Sequence, residues 1–389
     1  MQNKLHVLHL ARWYPSRADP MLGLFVKNQV TSLPQDVVST VVFISPVKGQ
    51  KEVKRTVELS GKIREVRVTY PDHPFGAMNI WNFFRYMRRE VAAIQAENHF
   101  DIIHVHILTR AGVVGRLLAE KFGVPMVVTE SWSRYLQPAV GLRHWLSYKL
   151  ARYATRGAEA LVYVSKKLAN ALEQHGITAK RMVYIPNVVD TELFRPAQGE
   201  RRSSGPVRLI HVSCFEEASK NISGLINAVA QLKSAGVEVS LCMVGEGQFS
   251  AEAESMAADL GIADLIDFKG LLPPAVVAKE VAVSDFLIQT SRYETFGAVV
   301  PEAWACGIPV ISTRVGVFAE MYRPELGAEI SGTDPASIAA GIRAAVGRRD
   351  TFSQEMMRKT AVDHFGKEVV GASLKSLYED AIRSKNAGD

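Results

Sequence analysis

No apolar run in the 389 residues reaches about eighteen, so no membrane-spanning helix is expected. Cysteine is scarce. Cys214, Cys242 and Cys306 stand without a Cys-x-x-Cys pair and without histidines at ligand spacing, which excludes a disulfide framework and a zinc module. Buried thiols in a reducing compartment are expected instead. No Gly-x-Gly-x-x-Gly follows the first strand-like run of either half, which speaks against a dehydrogenase. No Asp-x-Asp occurs, and "HVH" at 104–106 offers two histidines with no third ligand nearby in sequence, so no metal and no cofactor are expected. The opening "MQNKLHVLHLARWYP" has no long apolar core. It alternates like a strand and reads as the first element of a cytoplasmic fold, not as a signal peptide.

What is present is ordinary globular material, 47% apolar and 22% charged. That length and apolar content exceed what one core holds comfortably, so two domains are expected. Charge divides between them. Residues 1–190 carry 26 Lys/Arg against 14 Asp/Glu, a balance of +12, and residues 191–389 carry 20 against 26, a balance of −6. Different partners for the two halves, or plain solvated surface, both account for this.

Each half repeats one rhythm: an apolar β-branched run, a turn, an amphipathic helical stretch. Strands are expected at 5–10, 37–44, 63–69, 101–106, 125–130 and 160–165. Helical patterns lie at 79–98, 109–122 and 143–156. The series restarts at 207–213 and continues at 237–244, 265–270, 285–290 and 309–313. Strands alternating with helices build parallel sheets covered on both faces, and two series predict two doubly wound, Rossmann-like domains. The spacing sets an N-terminal domain at 1–190 and a polar linker, "RPAQGERRSSGP", within 191–206. A C-terminal domain follows at 207–365. The stretch 364–385 reads as one long helix, and 366–389 is expected to fold back on the N-terminal domain. Ligands of such sheets bind at the carboxyl ends of the strands, so facing sheets predict a central cleft.

One stretch, "SRYETFGAVVPEAWACGIPVIST" (291–313), sets Glu294 eight positions before Glu302. Glu294 falls in the loop after the strand "DFLIQT". Phe296 is expected to open a helix that carries Glu302 in its first turns. Free N–H groups there suit a phosphate, Gly297 allows close approach, and carboxylates accept from vicinal sugar hydroxyls. On spacing alone, an early acid that complements the helix dipole is the simpler account.

The whole pattern, E294-TFGAVVP-E302 followed by A-C-G-x-P-V, resembles the Glu-x7-Glu motif of retaining glycosyltransferases of the GT-B fold, specifically glycosyltransferase family 4. "YIPNVVDTELFRP" (184–196), "SKNISGLINAVAQLK" (219–233), "MVGEGQ" (243–248), "DFKGLL" (267–272) and the C-terminal tail extend the resemblance over most of the chain. It implies a metal-independent hexosyltransferase that moves a sugar from a UDP- or GDP-sugar to an acceptor hydroxyl. Cell-surface polysaccharide or glycolipid synthesis would be its setting, with a lipid-linked or polysaccharide acceptor. It assigns Glu302 to the donor ribose and Glu294 to the donor-sugar hydroxyls. The backbone of Thr295, Phe296 and Gly297 goes to sugar and diphosphate, Lys220 to the diphosphate, and Gly270 and Leu271 to the base. Gly23, opening the first helix, would approach the donor phosphate or the acceptor.

The sequence departs from the family at two reacting positions. Cys214 or Phe215 stands where an Arg precedes the Lys, leaving Arg292 as the substitute cation, and Ser131 stands where a His follows the strand "PMVVTE". Both departures keep open a non-catalytic nucleotide-sugar-binding protein or partner subunit. A sugar-nucleotide epimerase is disfavoured by the two-glutamate motif. His106, at a strand's carboxyl end, is a candidate cleft residue or a core histidine.

The N-terminal half bears on the acceptor. Helices at 81–94 and 143–156 mix aromatics with Arg85, Arg88, Arg89 and further basic residues. Such helices can lie on an anionic membrane, or bury one face and solvate the other. Peripheral attachment to the inner membrane face is the expectation for this half. Nucleic acid is not an expected partner.

Overall fold

The computed structural model describes residues 4–16, 19–137, 141–198 and 205–388, save for the side chains of residues 142, 143 and 388. By contact the chain divides into two units, Met1–Val188 with Lys367–Asp389, and Val189–Gly366. Of the stretch expected as a linker, 199–204 lies outside the described residues.

Unit 1 holds strands β1 (Leu5–Ala11), β2 (Val37–Val47), β3 (Lys54–Ser60), β4 (Ile63–Pro71), β5 (Ile102–His106), β6 (Met126–Glu130), β7 (Ala160–Tyr163) and β8 (Arg181–Tyr184). They form one sheet in the order β3-β4-β2-β1-β5-β6-β7-β8. Its pairings are parallel except β3 with β4. Sequence reading missed β3 because every residue of "KRTVELS" is exposed, so no buried face stamps an alternation on it. Before the chain crosses to unit 2, the unit's α-helices among the described residues are α1 (Leu24–Ser32), α2 (Gly76–Glu97), α3 (Arg110–Phe122), α4 (Leu142–Arg156) and α5 (Lys166–Gln174).

Unit 2 holds β9 (Val207–Val212), β10 (Val239–Val244), β11 (Ile266–Gly270), β12 (Phe286–Gln289), β13 (Val310–Thr313) and β14 (Gly327–Ile330). Their order is β11-β10-β9-β12-β13-β14, all parallel. This is the doubly wound order, in which the chain reverses direction beside the first strand. Helices α6 (Glu217–Lys220), α7 (Ile222–Ser234), α8 (Ser250–Asp259), α9 (Pro274–Ala282), α10 (Val299–Ala305), α11 (Gly316–Met321), α12 (Pro335–Gly347) and α13 (Gln354–Phe365) complete the unit. Leu209, Leu225, Val229, Leu241, Ile288 and Ile342 are among its core residues.

The single long helix expected at 364–385 is two helices. α13 ends at Phe365, Gly366 takes an extended backbone, and α14 (Lys367–Gly388) restarts in unit 1. A Cβ at Gly366 would lie 2.7 Å from the Val362 carbonyl, and Phe365 is fully buried, so the break is fixed by packing. α14 sets Val370, Leu374, Leu377 and Tyr378 against Val7, Ile102 and Val127 of the unit 1 sheet.

Candidate functional site

In unit 2, β9 and β12 are hydrogen-bonded neighbours, and the loops leaving their carboxyl ends meet. They enclose a cavity of about 140 Å³. Its wall includes Ser213, Cys214, Lys220, Gln289, Glu294 and Gly297. Lys220 Nζ donates to Glu294 Oε1 at 2.6 Å, and Ser291 Oγ donates to the same oxygen at 2.8 Å. Burial alone would push the Lys220 ammonium down. The Glu294 carboxylate against it more than reverses that, so the ammonium stays charged.

α10 begins at Val299 and not at Phe296, with Ala298 as its cap residue. Thr295 and Gly297 are partly exposed, and Gly297 lines the cavity. Phe296 turns its ring inward against Phe365, 5.7 Å between centroids, and its carbonyl accepts from Val317 N at 2.7 Å. Its side chain is therefore core. Glu302, four residues past Ala298, is half-buried, and its carboxylate takes no hydrogen bond from any described residue. Burial pushes that carboxyl up to about 8.

The two candidates for the missing cation's place separate. Cys214 lies on the cavity wall, whereas Phe215 is 2% exposed and packs in the core. Arg292, the candidate for the cation's place, is tied to α6 and Asn221. Its Nη1 donates to the Glu217 carbonyl at 2.6 Å, its Nη2 donates to Asn221 Oδ1 at 2.5 Å, and it is absent from the cavity wall. Next along the strand ends, a second cavity of about 550 Å³ is lined by Phe215, Gly245, Glu246, Ser250, Phe268 and Gly270, among others. Gly270 is on its wall. Leu271 is half exposed, and its N–H donates to Glu246 Oε1 at 3.2 Å. Sequence reading gave no role to Gln289, Ser291 or Glu246, although all three lie in quoted stretches, because only the strand-end loops bring them to the cavities.

In unit 1 the corresponding strand ends hold Ser131 and Gly23. Ser131 follows β6. Its N–H donates to Glu130 Oε1 at 2.8 Å, and its hydroxyl bonds to no described residue. Glu130 is fully buried and also accepts from Trp132 N at 2.8 Å and Leu108 N at 3.0 Å. Burial pushes its carboxyl up to about 7 against those three donors. The carboxylate thus clamps the loop after β6 to the loop after β5, where Ile107 holds φ +73°, a costly place for a β-branched residue. Gly23 caps α1 at φ +68°. A Cβ there would lie 2.4 Å from the Trp13 carbonyl carbon, so only glycine lets α1 start against that loop.

His106 is not a surface residue. It is 1% exposed, and its ring lies 4.0 Å from His104 by centroid. The third histidine absent from the local sequence comes from β1, whose His9 is in register with His104. Ligand nitrogens of His9, His104 and His106 lie within 4.8 Å of one another. Both nitrogens of His104 are engaged, by Tyr378 Oη and Thr129 Oγ1, each at 2.7 Å. His9 Nδ1 and His106 Nε2 share a hydrogen bond at 3.1 Å, their rings inclined by 25° with centroids 5.4 Å apart. Burial pushes all three imidazoles down, His106 to about 3, so they are neutral at physiological pH.

Two family models match the chain: "Glycosyltransferase Family 4" over residues 24–193 and "Glycosyl transferases group 1" over 197–362. A MMP alpha-(1->4)-mannosyltransferase of Mycolicibacterium hassiacum is 26% identical over 73% of this chain and 71% of its own. A D-inositol 3-phosphate glycosyltransferase of Geodermatophilus obscurus is 29% identical over 74% of this chain and 68% of its own. Among solved structures, the sucrose-phosphate synthase of Thermosynechococcus elongatus superposes with a TM-score of 0.78 at 19% identity, covering 98% of this chain and all of that one.

Proposed function

We infer that the chain is a GT-B glycosyltransferase resembling family 4, since family models of this kind match both of its halves. From that premise we propose that it moves a sugar from a UDP- or GDP-sugar to an acceptor hydroxyl, with retention at the anomeric carbon and without a metal. The bond from anomeric carbon to phosphate oxygen breaks, the bond to the acceptor oxygen forms on the same face, and the acceptor proton passes to the departing phosphate oxygen.

One observation carries this reading: a charged Lys220 paired with Glu294 on a cavity wall, with Glu302, which takes no hydrogen bond from a described residue, on the helix that follows the Glu294 loop. Lys220 faces the negative charge that grows on the leaving diphosphate, where a fixed cation is worth most. The donor then replaces Lys220 as the partner of Glu294, which accepts from sugar hydroxyls. Glu302 accepts from the ribose, and the 550 Å³ cavity is wide enough for the base. Ser131 offers a hydroxyl and a carbonyl where the family has an imidazole.

The acceptor is a lipid-linked or polysaccharide chain, and unit 1 rests on anionic membrane. Support comes from α2 and its cap residue Phe75: Phe75 and Trp81 are 72% and 55% exposed, and Arg85 lies 5.1 Å over the Trp81 ring.

A second reading, a nucleotide-sugar-binding protein without turnover, is favoured by Cys214 and Ser131 at the two departing positions. The deciding experiment titrates nucleoside diphosphate sugars into the wild type, Glu302→Ala and Lys220→Ala, and follows slow donor hydrolysis. The proposed reading expects binding that both variants lose, with turnover in the wild type. Failure of every nucleotide sugar to bind would overturn it, and binding without turnover on any acceptor would select the second reading.

A further inference from the structure

Arg12 and Arg110 of unit 1 have no side-chain partner among the described residues. Arg12 follows β1, and its N–H donates to the His106 carbonyl at 3.3 Å. Arg110 opens α3, four residues beyond His106, at the end of the neighbouring strand β5. Both side chains are partly buried, and neither guanidinium makes a hydrogen bond, ion pair or ring contact with any described residue. Elsewhere in the unit Arg55, Arg64, Arg67 and Arg116 each meet a carboxylate. Burial, and then the charge of Arg110, push the Arg12 guanidinium down from its ordinary value. Asp72, a carboxylate that acts on the same buried Tyr70 as both arginines, is held by Asn79 Nδ2 at 2.7 Å. Thr109, the cap residue of the 13-residue α3, makes no capping bond, and its hydroxyl is buried without a partner.

Two like charges in a partly dry corner repel and lose hydration with nothing in return. An anion between them reverses both costs. The guanidinium fork matches phosphate or carboxylate with paired hydrogen bonds, and the N–H groups opening α3 add donors. The donor diphosphate already has the Lys220 cavity in unit 2. We propose that Arg12 and Arg110 bind an anionic group, phosphate or carboxylate, carried by the acceptor. The inference rests on the glycosyl-transfer reading and adds the acceptor's charge to it.

The test is calorimetric titration of the full chain with inorganic phosphate and, in parallel, with acetate, at constant ionic strength. Wild type, Arg12→Gln, Arg110→Gln, Arg12→Lys and Lys220→Ala are compared, and each is also titrated with UDP and GDP. At least one anion is expected to bind about tenfold or more weakly to both Gln variants, while Lys220→Ala keeps that site. Which anion responds tells a phosphate-bearing acceptor from a carboxylate-bearing one. Arg12→Lys, with charge but no fork, falls between. Without anion, both Gln variants should melt above the wild type, because the repulsion is gone. Unchanged affinity for both anions in the Gln variants would overturn the inference, whatever their melting temperatures. So would a parallel loss of UDP or GDP binding, which would give the anion to the donor. A wild type that binds neither nucleotide would instead sink the transfer reading and leave the anion result to be judged separately.

Discussion

Burial pushes the Glu302 carboxyl up to about 8 with no described donor to offset it, so the group holds a proton at neutral pH. Two ribose hydroxyls donate best to the ionised form, so binding should expel that proton. UDP or GDP affinity is expected to rise with pH up to about 8 and then level off, and Glu302→Gln should abolish the slope in titration calorimetry. Stability runs the other way. The folded value lies above the ordinary 4.5, so the native state holds a proton that the unfolded chain has already lost. Stability from this group is therefore full below 4.5 and is lost as pH rises towards 8. Glu302→Gln should then melt higher than the wild type above pH 8, with little difference near pH 4. The Lys220–Glu294 pair makes the complementary case. Its side chains are 16% and 12% exposed. Lys220→Met should cost about 3 kcal/mol in denaturant unfolding by stranding the carboxylate, and adding Glu294→Gln should recover much of it.

Whole elements decide where those residues stand. The loop after β12 reaches its place because Gly316, opening α11, adopts φ +53° and lets that helix approach the Phe296 carbonyl. A Cβ there would lie 2.3 Å from that oxygen. Gly316→Ala is expected to cost about 2–3 kcal/mol and to weaken nucleotide binding, although residue 316 carries no functional group. A thermal melt paired with nucleotide titration checks both. At this scale the sequence was legible where one face is buried. β1, β2, β4, β9 and β10 announce themselves by β-branched runs, and α2 by buried Phe83, Met87, Val91 and Ile94. Nothing comparable marks β3, exposed throughout, or β8, whose residues are exposed or half-buried. The start of α10 was misjudged because Phe296 is apolar for burial against Phe365 and not for helical phase.

For the molecule as a whole, the chain's return is the decisive feature. α14 leaves unit 2 at Gly366 and fills the core of unit 1, where Leu374 is fully buried and Tyr378 Oη bonds His104. Leu374→Ala should cost about 3 kcal/mol. Truncation after Gly366 should leave unit 1 unable to fold, as seen in its loss of protection from hydrogen exchange. Charge is the other molecular property. Anionic vesicles are expected to carry the protein in flotation at low salt, less so at high salt, and less after Trp81→Ala with Arg85→Glu. No salt-sensitive flotation would remove the membrane from the proposal.

The sequence by itself determined two alternating α/β series and the Glu294–Glu302 spacing beside Lys220, because local periodicity and motif chemistry are written in neighbouring residues. Tertiary structure decided what depends on residues far apart in the chain. It paired Lys220 with Glu294, turned Cys214 to the cavity and Phe215 to the core, and tied Arg292 to α6 and Asn221. It brought His9 to His104 and His106, and set Arg12 and Arg110 at neighbouring strand ends without a side-chain partner among the described residues. Strand order and loop closure fix those contacts, and neither has a local signature, since a side chain's neighbours across a sheet come from anywhere in the chain.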